Sequence, residues 1–266
     1  MDKLRFLFFY FIAFLSVIYL LYVSYVYFNQ TDMIFMSSSL PKDYKFNFEI
    51  PLEEKFIPSF DGAVQHGLLF KVSKPKGIIF YLHGNAGNVL TWRGISKFYC
   101  SLGYDLFILD YRSFGKSDGV IQGEEQMLKD IEIVYNSVSK SYEKKIIIGY
   151  SIGSGLATIL ASQQKADLLI LQAPYDDFEE FSRRRIPYFP DCLKKFHFKL
   201  IRYLKKINCP IRIFHGDSDQ LIRLENSYRL RKQFKKTDEL IVLLDQGHIG
   251  INDNPIFQNE IRLLLN

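Results

Sequence analysis

The chain has 266 residues, 48% of them hydrophobic and 24% charged, and a net charge of +5. That length and balance exclude a disordered chain and leave room for one large domain with a sizeable core. The mild positive charge does not make a nucleic-acid binder, and the sequence holds no zinc-finger spacing, P-loop, internal repeat or low-complexity tract.

Residues Phe6 to Phe28 form a run of 23 without a charged side chain. A helix needs about 20 apolar residues to cross the hydrocarbon core. The run is longer than a signal-peptide core, and no small-x-small cleavage pattern follows it. Tyr10, Tyr22, Tyr25 and Tyr27 lie toward its two ends, where interfacial aromatics sit. Residues 1–28 are therefore expected to be an uncleaved transmembrane anchor, 29–43 a polar linker and 44–266 the folded domain. Lys3 and Arg5 precede the run, and the positive-inside rule then keeps the N-terminus cytoplasmic and carries the domain across the membrane.

After the linker, Tyr44 to Ile50 alternates as a half-buried strand does, and Glu54 to Val72 reads as a hairpin turning at Asp61-Gly62. Strands and helices then alternate: strand Gly77–Leu82, helix Thr91–Leu102, strand Tyr104–Leu109, helix Glu124–Lys140, strand Lys145–Tyr150, helix Ser154–Gln163 and strand Ala166–Gln172. The alternation stops over about 174–209, then resumes with strand Ile211–Phe214, helix Glu225–Phe234, strand Glu239–Leu244 and helix Pro255–Leu265. Met127, Ile131, Val134 and Val138 share one helical face. Continuous apolar strands between helices predict an α/β fold: a mostly parallel sheet, antiparallel strands at its N-terminal edge and helices on both faces.

Ligand sites in such sheets lie beyond the carboxyl ends of the strands. There the sequence places "GYSIG", a serine between two glycines at a strand-to-helix junction. This is the context of a nucleophile elbow, in which Ser151 is pushed out of a strained turn. A serine needs a base, and the base needs an orienting carboxylate. His248 follows the last strand and is the candidate base. Asp217 and Asp219 both follow the strand before it and are the candidate acids; the residue nearer the strand suits the turn. The order Ser, Asp, His is that of α/β-hydrolases. For an oxyanion the candidate donors are the backbone N–H groups of Ile152 and of Asn85 in "YLHGNAGN", with Ala86 next. Cys100, Cys192 and Cys209 are too scattered for a metal site or a disulfide scaffold.

The segments "HGNAGN", "DYRSFGKSDG", "GYSIGSG", "CPIRIFHGDSDQLI" and "GH" resemble the α/β-hydrolase superfamily. Within it the chain is similar to the Bem46-like group, with its membrane-associated ABHD13- and ABHD17-type serine hydrolases. The resemblance covers nearly the whole chain. It implies an α/β-hydrolase fold with a small helical cap at about 174–209, Ser151 as nucleophile, Asp219 as acid, His248 as base, and no cofactor or metal. Two departures stand out: Ser113 replaces the usual glycine of D-Y-R-G, and Ile249-Gly250 follow the histidine. The expected activity is cleavage of carboxylic ester or thioester bonds in an acyl substrate, including lipids or lipidated molecules. The alternatives are an amidase or peptidase with the same triad, acyl transfer to an alcohol, and a non-catalytic membrane-anchored scaffold. The cap interleaves Arg183, Arg184, Arg185, Lys194 and Lys195 with aromatic residues, which suits either a solvated lid or one that leans on anionic headgroups.

Overall fold

In the computed structural model, which describes residues 2–266, helix α1 (Asp2–Ile34) opens the chain and runs for about 50 Å at 1.5 Å per residue. Met1 of the expected anchor lies outside the described residues. Helix α1 has two unlike halves. From Lys3 to Leu21 its side chains are exposed; beyond that, Val26 and Gln30 are buried against the domain. The expected linker thus begins as helix, because no Pro or Gly interrupts residues 29–34 and the domain supplies partners for them. The next residues are not free either. Strand β1 (Met36–Ser37) pairs later with a short strand of the central loops.

Residues 44–50, expected as a strand, form no ladder. Their alternation is used to pack rings instead: Phe46 stacks on His66, and Phe48 meets Phe70 edge-on. The hairpin follows as β2 (Leu52–Pro58) and β3 (Val64–Phe70), with Gly62 at φ +86° in its turn. Then come β4 (Ile78–Leu82), β5 (Ala86–Gly87), α2 (Gly94–Ser101), β6 (Asp105–Asp110), α3 (Glu124–Ser139), β7 (Lys145–Tyr150), α4 (Ile152–Gln163) and β8 (Leu168–Gln172). The cap holds α5 (Phe178–Arg185) and the single turn α6 (Leu200–Tyr203). The chain closes with β9 (Ile211–Gly216), α7 (Glu225–Arg231), β10 (Glu239–Leu243) and α8 (Pro255–Leu265), whose N-terminus is capped by the Asn254 side chain.

The main sheet has the order β10-β9-β8-β7-β4-β6-β3-β2, antiparallel only where β3 meets β2 and β6. Every residue of β4 is buried, and the strand's period of two sends alternate side chains to opposite faces. Phe80 and Leu82 join a core with α3, α4 and the cap; Ile79 and Tyr81 join a second core with α2 and α8. This is why the strand sequences are apolar throughout. Strand β4 lies between β6 and β7, so the strand order reverses there. The loops after β4 and β7 diverge at this switch point and leave a crevice, where open α/β sheets hold their ligands.

Candidate active site

Ser151 stands between β7 and α4 with φ +54° and ψ −119°, a left-handed-side conformation that side chains rarely adopt. The flanking glycines are needed for close approach. A Cβ on Gly153 would lie 2.1 Å from the Leu82 carbonyl oxygen, and one on Gly149 would lie 2.5 Å from that of Gly153. The turn is tied down by the Ser151 N–H donating to the Gln172 carbonyl at 2.9 Å and by the Ser154 hydroxyl donating to the Ser151 carbonyl at 2.6 Å. Strained backbone held by neighbours on both sides leaves one degree of freedom, the hydroxyl.

That hydroxyl lies 2.9 Å from His248 Nε2, and His248 Nδ1 lies 2.7 Å from Asp219 Oδ2. A carboxylate only accepts, so Nδ1 carries the hydrogen and Nε2 is left to accept from Ser151. Asp219 is buried and Asp217 is exposed, so burial separates the two carboxylates that the sequence leaves as rivals. Burial disfavours the Asp219 anion, yet hydrogen bonds from His215 and His248 and from the Ile222 N–H outweigh it. The carboxyl sits well below the ordinary carboxylate range. Its Oδ1 accepts from the N–H groups of Leu221 at 2.9 Å and Ile222 at 2.8 Å. Asn85 and Ile152 line the same cavity as Ser151. Among the described residues, no group of three or more His, Cys, Asp or Glu side chains is placed to hold a metal ion, and Cys100, Cys192 and Cys209 are free thiols.

Residues 77–202 match the family described as alpha/beta hydrolase fold. The folded chain superposes on an esterase from Pyrococcus furiosus with a TM-score of 0.69 at 16% identity, covering 87% of this chain and 95% of the other. The chain has the α/β-hydrolase fold. Among curated relatives it is 29% identical over 188 residues to the lysophosphatidylserine lipase ABHD12 of Danio rerio, a match covering 60% of this chain and 47% of that protein. It is 29% identical to the alpha/beta hydrolase domain-containing protein 17B of Homo sapiens, covering 65% of this chain and 60% of the other. It is 26% identical to the protein YfhR of Escherichia coli O157:H7, covering 74% and 69%. The chain thus spans about half the length of the lipase.

Around this site, His83 and His215 stand at strand ends just before glycine, as buried structural histidines do, and both are buried, while the other supporting side chains carry no local signal. His215, fully buried, faces Asp219 Oδ2 at 3.3 Å while its ring nitrogens bond the Ile222 carbonyl at 2.7 Å and the Ser227 hydroxyl at 2.6 Å. Its place four residues before Asp219, at the end of an apolar strand, was the available clue. Behind the His248 loop, Tyr81, Gln172 and Asn252 close a ring of hydrogen bonds of 2.9, 2.8 and 3.0 Å. This ring joins the loop to β4 and β8. The Tyr150 hydroxyl donates to the His248 carbonyl, and burial pushes that phenol well up, so it remains a donor. His83 precedes the loop that carries Asn85, with Nδ1 donating to the Gly84 carbonyl at 2.7 Å; burial pushes its imidazole down, away from the charged form.

The cavity beside Ser151 has a volume of about 390 Å³, toward the lower end of ligand pockets. Ile152, Tyr175, Phe178, Ile186, Leu221 and Ile222 supply much of an apolar wall. Helix α5 of the cap thus roofs the site rather than standing apart from it.

Proposed function

We propose that the chain is a membrane-anchored serine hydrolase cleaving carboxylic ester or thioester bonds of acyl substrates. The observation that carries this reading is the unbroken relay of two hydrogen bonds, Ser151 to His248 to Asp219, opening on an apolar cavity. Ser151 Oγ attacks the acyl carbonyl while His248 Nε2 takes its proton. The oxyanion that forms is met by the N–H groups of Asn85 and Ile152, the second at the first position of α4, where the helix dipole adds to the donor. His248 passes the proton to the departing alcohol or thiol. Water, deprotonated by the same nitrogen, then releases the acid. Asp219 holds the tautomer throughout.

An apolar cavity suits an acyl chain, and relatives named lipase and esterase accord with an ester bond. The exposed, apolar first half of α1 supports an anchor: the helix is long and apolar enough to cross a bilayer. Lys3 and Arg5 before it support an orientation with the N-terminus in the cytoplasm and the domain on the far side.

The test is labelling of membrane fractions with a fluorophosphonate probe, alongside turnover of p-nitrophenyl butyrate. Wild type is expected to label, and Ser151→Ala and His248→Ala to lose labelling with about 10⁴-fold or more of the turnover. Undiminished turnover by Ser151→Ala would remove the assignment. Faster cleavage of a matched amide than of the ester would redirect it to an amidase.

A further inference from the structure

The end of α1 enters the substrate site. Gln30, Met33 and Ile34 of the helix and Met36 of β1 line the cavity that holds Ser151. A tether would have no reason to be there.

This wall is fixed to the catalytic loops by specific bonds. The Asn85 side-chain amide donates at 2.9 Å to the carbonyl of Ile34, one of the carbonyls a helix end leaves without an internal partner. The Asn85 carbonyl accepts the Met36 N–H at 2.8 Å, and β1 then runs parallel to β5 in the register Met36 with Ala86 and Ser37 with Gly87. The Asn88 side chain donates to the Ser38 carbonyl at 3.1 Å. The loop that supplies an oxyanion donor is therefore built onto the last turn of the helix.

On the other side the helix clamps the cap. Gln30, buried, donates to the Leu193 carbonyl at 3.2 Å and accepts the Lys195 N–H at 2.8 Å. The Tyr22 hydroxyl donates to the Pro187 carbonyl at 2.6 Å and that of Tyr19 to the Tyr188 carbonyl at 3.0 Å. Val26 packs with Ile186 and Phe189. A wall held at both edges does not drift, so its side chains set the shape of the cavity rather than follow the ligand.

We infer that the last turns of α1 and the strand after it determine acyl-chain selectivity, with Met33 and Met36 as specificity-determining residues for a substrate carrying one extended acyl chain. The inference rests on the hydrolase reading above. Methionine suits such a wall, since its flexible thioether stem adapts to chains of different curvature. The volume of about 390 Å³ accommodates one chain rather than two. An acetyl group fills only the neighbourhood of Ser151; a long chain must pass the helix.

The test uses the full-length chain in detergent micelles and compares p-nitrophenyl acetate with p-nitrophenyl laurate. Met33 is 48% exposed, so the bulkier Met33→Trp is not expected to disturb folding, and equal fluorophosphonate labelling confirms that Ser151 remains competent. Met33→Trp should lower kcat/KM for laurate about 10-fold or more and leave acetate within about 2-fold, the size of effect that a pocket wall exerts on an apolar group. Met33→Ala should shift the ratio the other way. Leu15→Trp, on the free half of the same helix, should change neither. An unchanged laurate-to-acetate ratio in both Met33 variants, with labelling intact, overturns the inference while leaving the hydrolase reading standing. Failure of wild type to label or to cleave either ester removes the hydrolase reading and this inference with it.

Discussion

Two histidine–carboxylate pairs lie in this molecule with nearly the same geometry. His248 Nδ1 is 2.7 Å from Asp219 Oδ2, and His66 Nδ1 is 2.8 Å from Asp110 Oδ2. They differ in what the second nitrogen meets. His248 Nε2 faces the Ser151 hydroxyl at the mouth of a cavity. His66 is fully buried between Phe46 and Phe56, and its Nε2 faces Glu54 at 3.5 Å. A serine is close to that pair too, but its hydroxyl is engaged with backbone: Ser117 donates to the Asp110 carbonyl at 2.6 Å and accepts the His66 N–H at 2.8 Å. In the proposed mechanism a paired imidazole serves as a base only where a hydroxyl has no other partner and a substrate has room. Elsewhere the same pair is a buried strut between β3 and β6.

The sharpest way to break this contrast is to remove each imidazole in turn. His248→Gln should lower kcat about 10⁴-fold or more with the fold intact. His66→Gln should leave kcat within about 3-fold and cost about 1–3 kcal/mol of stability, the range for orphaning a buried polar partner. Turnover of p-nitrophenyl butyrate and urea unfolding in the same detergent read both quantities. Comparable losses of turnover in the two variants would abolish the distinction.

A second separation uses pH. The Asp219 carboxyl is held below its ordinary range, so the unfolded chain binds a proton there at pH values where the folded chain does not. The stabilisation is present above the unfolded pKa of about 3.9 and is lost as pH falls through the lower, folded value. Wild type should therefore lose stability faster than Asp219→Asn when the urea midpoint is followed from pH 5 down to 3. Parallel curves would mean that the hydrogen bonds around Asp219 do not favour its charge. At neutral pH the same variant should lose about 10³–10⁴-fold in kcat, because an amide does not enforce the tautomer of His248.

The loops carrying Ser151, Asp219 and His248 were legible because each follows a continuous apolar strand and is marked by Gly, Asp or Ser. That pattern is local, and local chemistry imposes it: a strand buried on both faces must be apolar, and the sharp turn out of it needs small residues. The choice between Asp217 and Asp219 became physical only with burial. What was hidden depends on residues far apart in sequence. Asn85 gives no sign that its amide will close the end of a helix 51 residues away, and Asn252 none that it will meet Tyr81 and Gln172. Residues 29–34 looked like a linker because they are polar, yet Gln30 is polar in order to clamp the cap. The alternation over 44–50 was real, but it serves ring packing rather than a ladder.

The smallest expected effect again sets two regions side by side. Ser151 and Ser113 both hold positive φ, +54° and +67°. In Ser151 the strain aims a hydroxyl at an imidazole. Ser113 lies in the turn after β6, where its N–H donates to the Gly119 carbonyl at 3.1 Å. Among the described residues its side chain makes no hydrogen bond. Left-handed backbone costs a residue with a Cβ about 1–2 kcal/mol, and glycine returns about 0.5–1 of that as entropy lost on folding. Ser113→Gly should therefore raise stability by up to about 1 kcal/mol and leave kcat unchanged. Ser151→Gly relieves the same strain but removes the hydroxyl, so any gain in stability should come with turnover as low as that of Ser151→Ala. A fall in kcat in Ser113→Gly would show that the strained turn after β6 contributes to positioning the site, and that the strut side of the molecule is not catalytically silent.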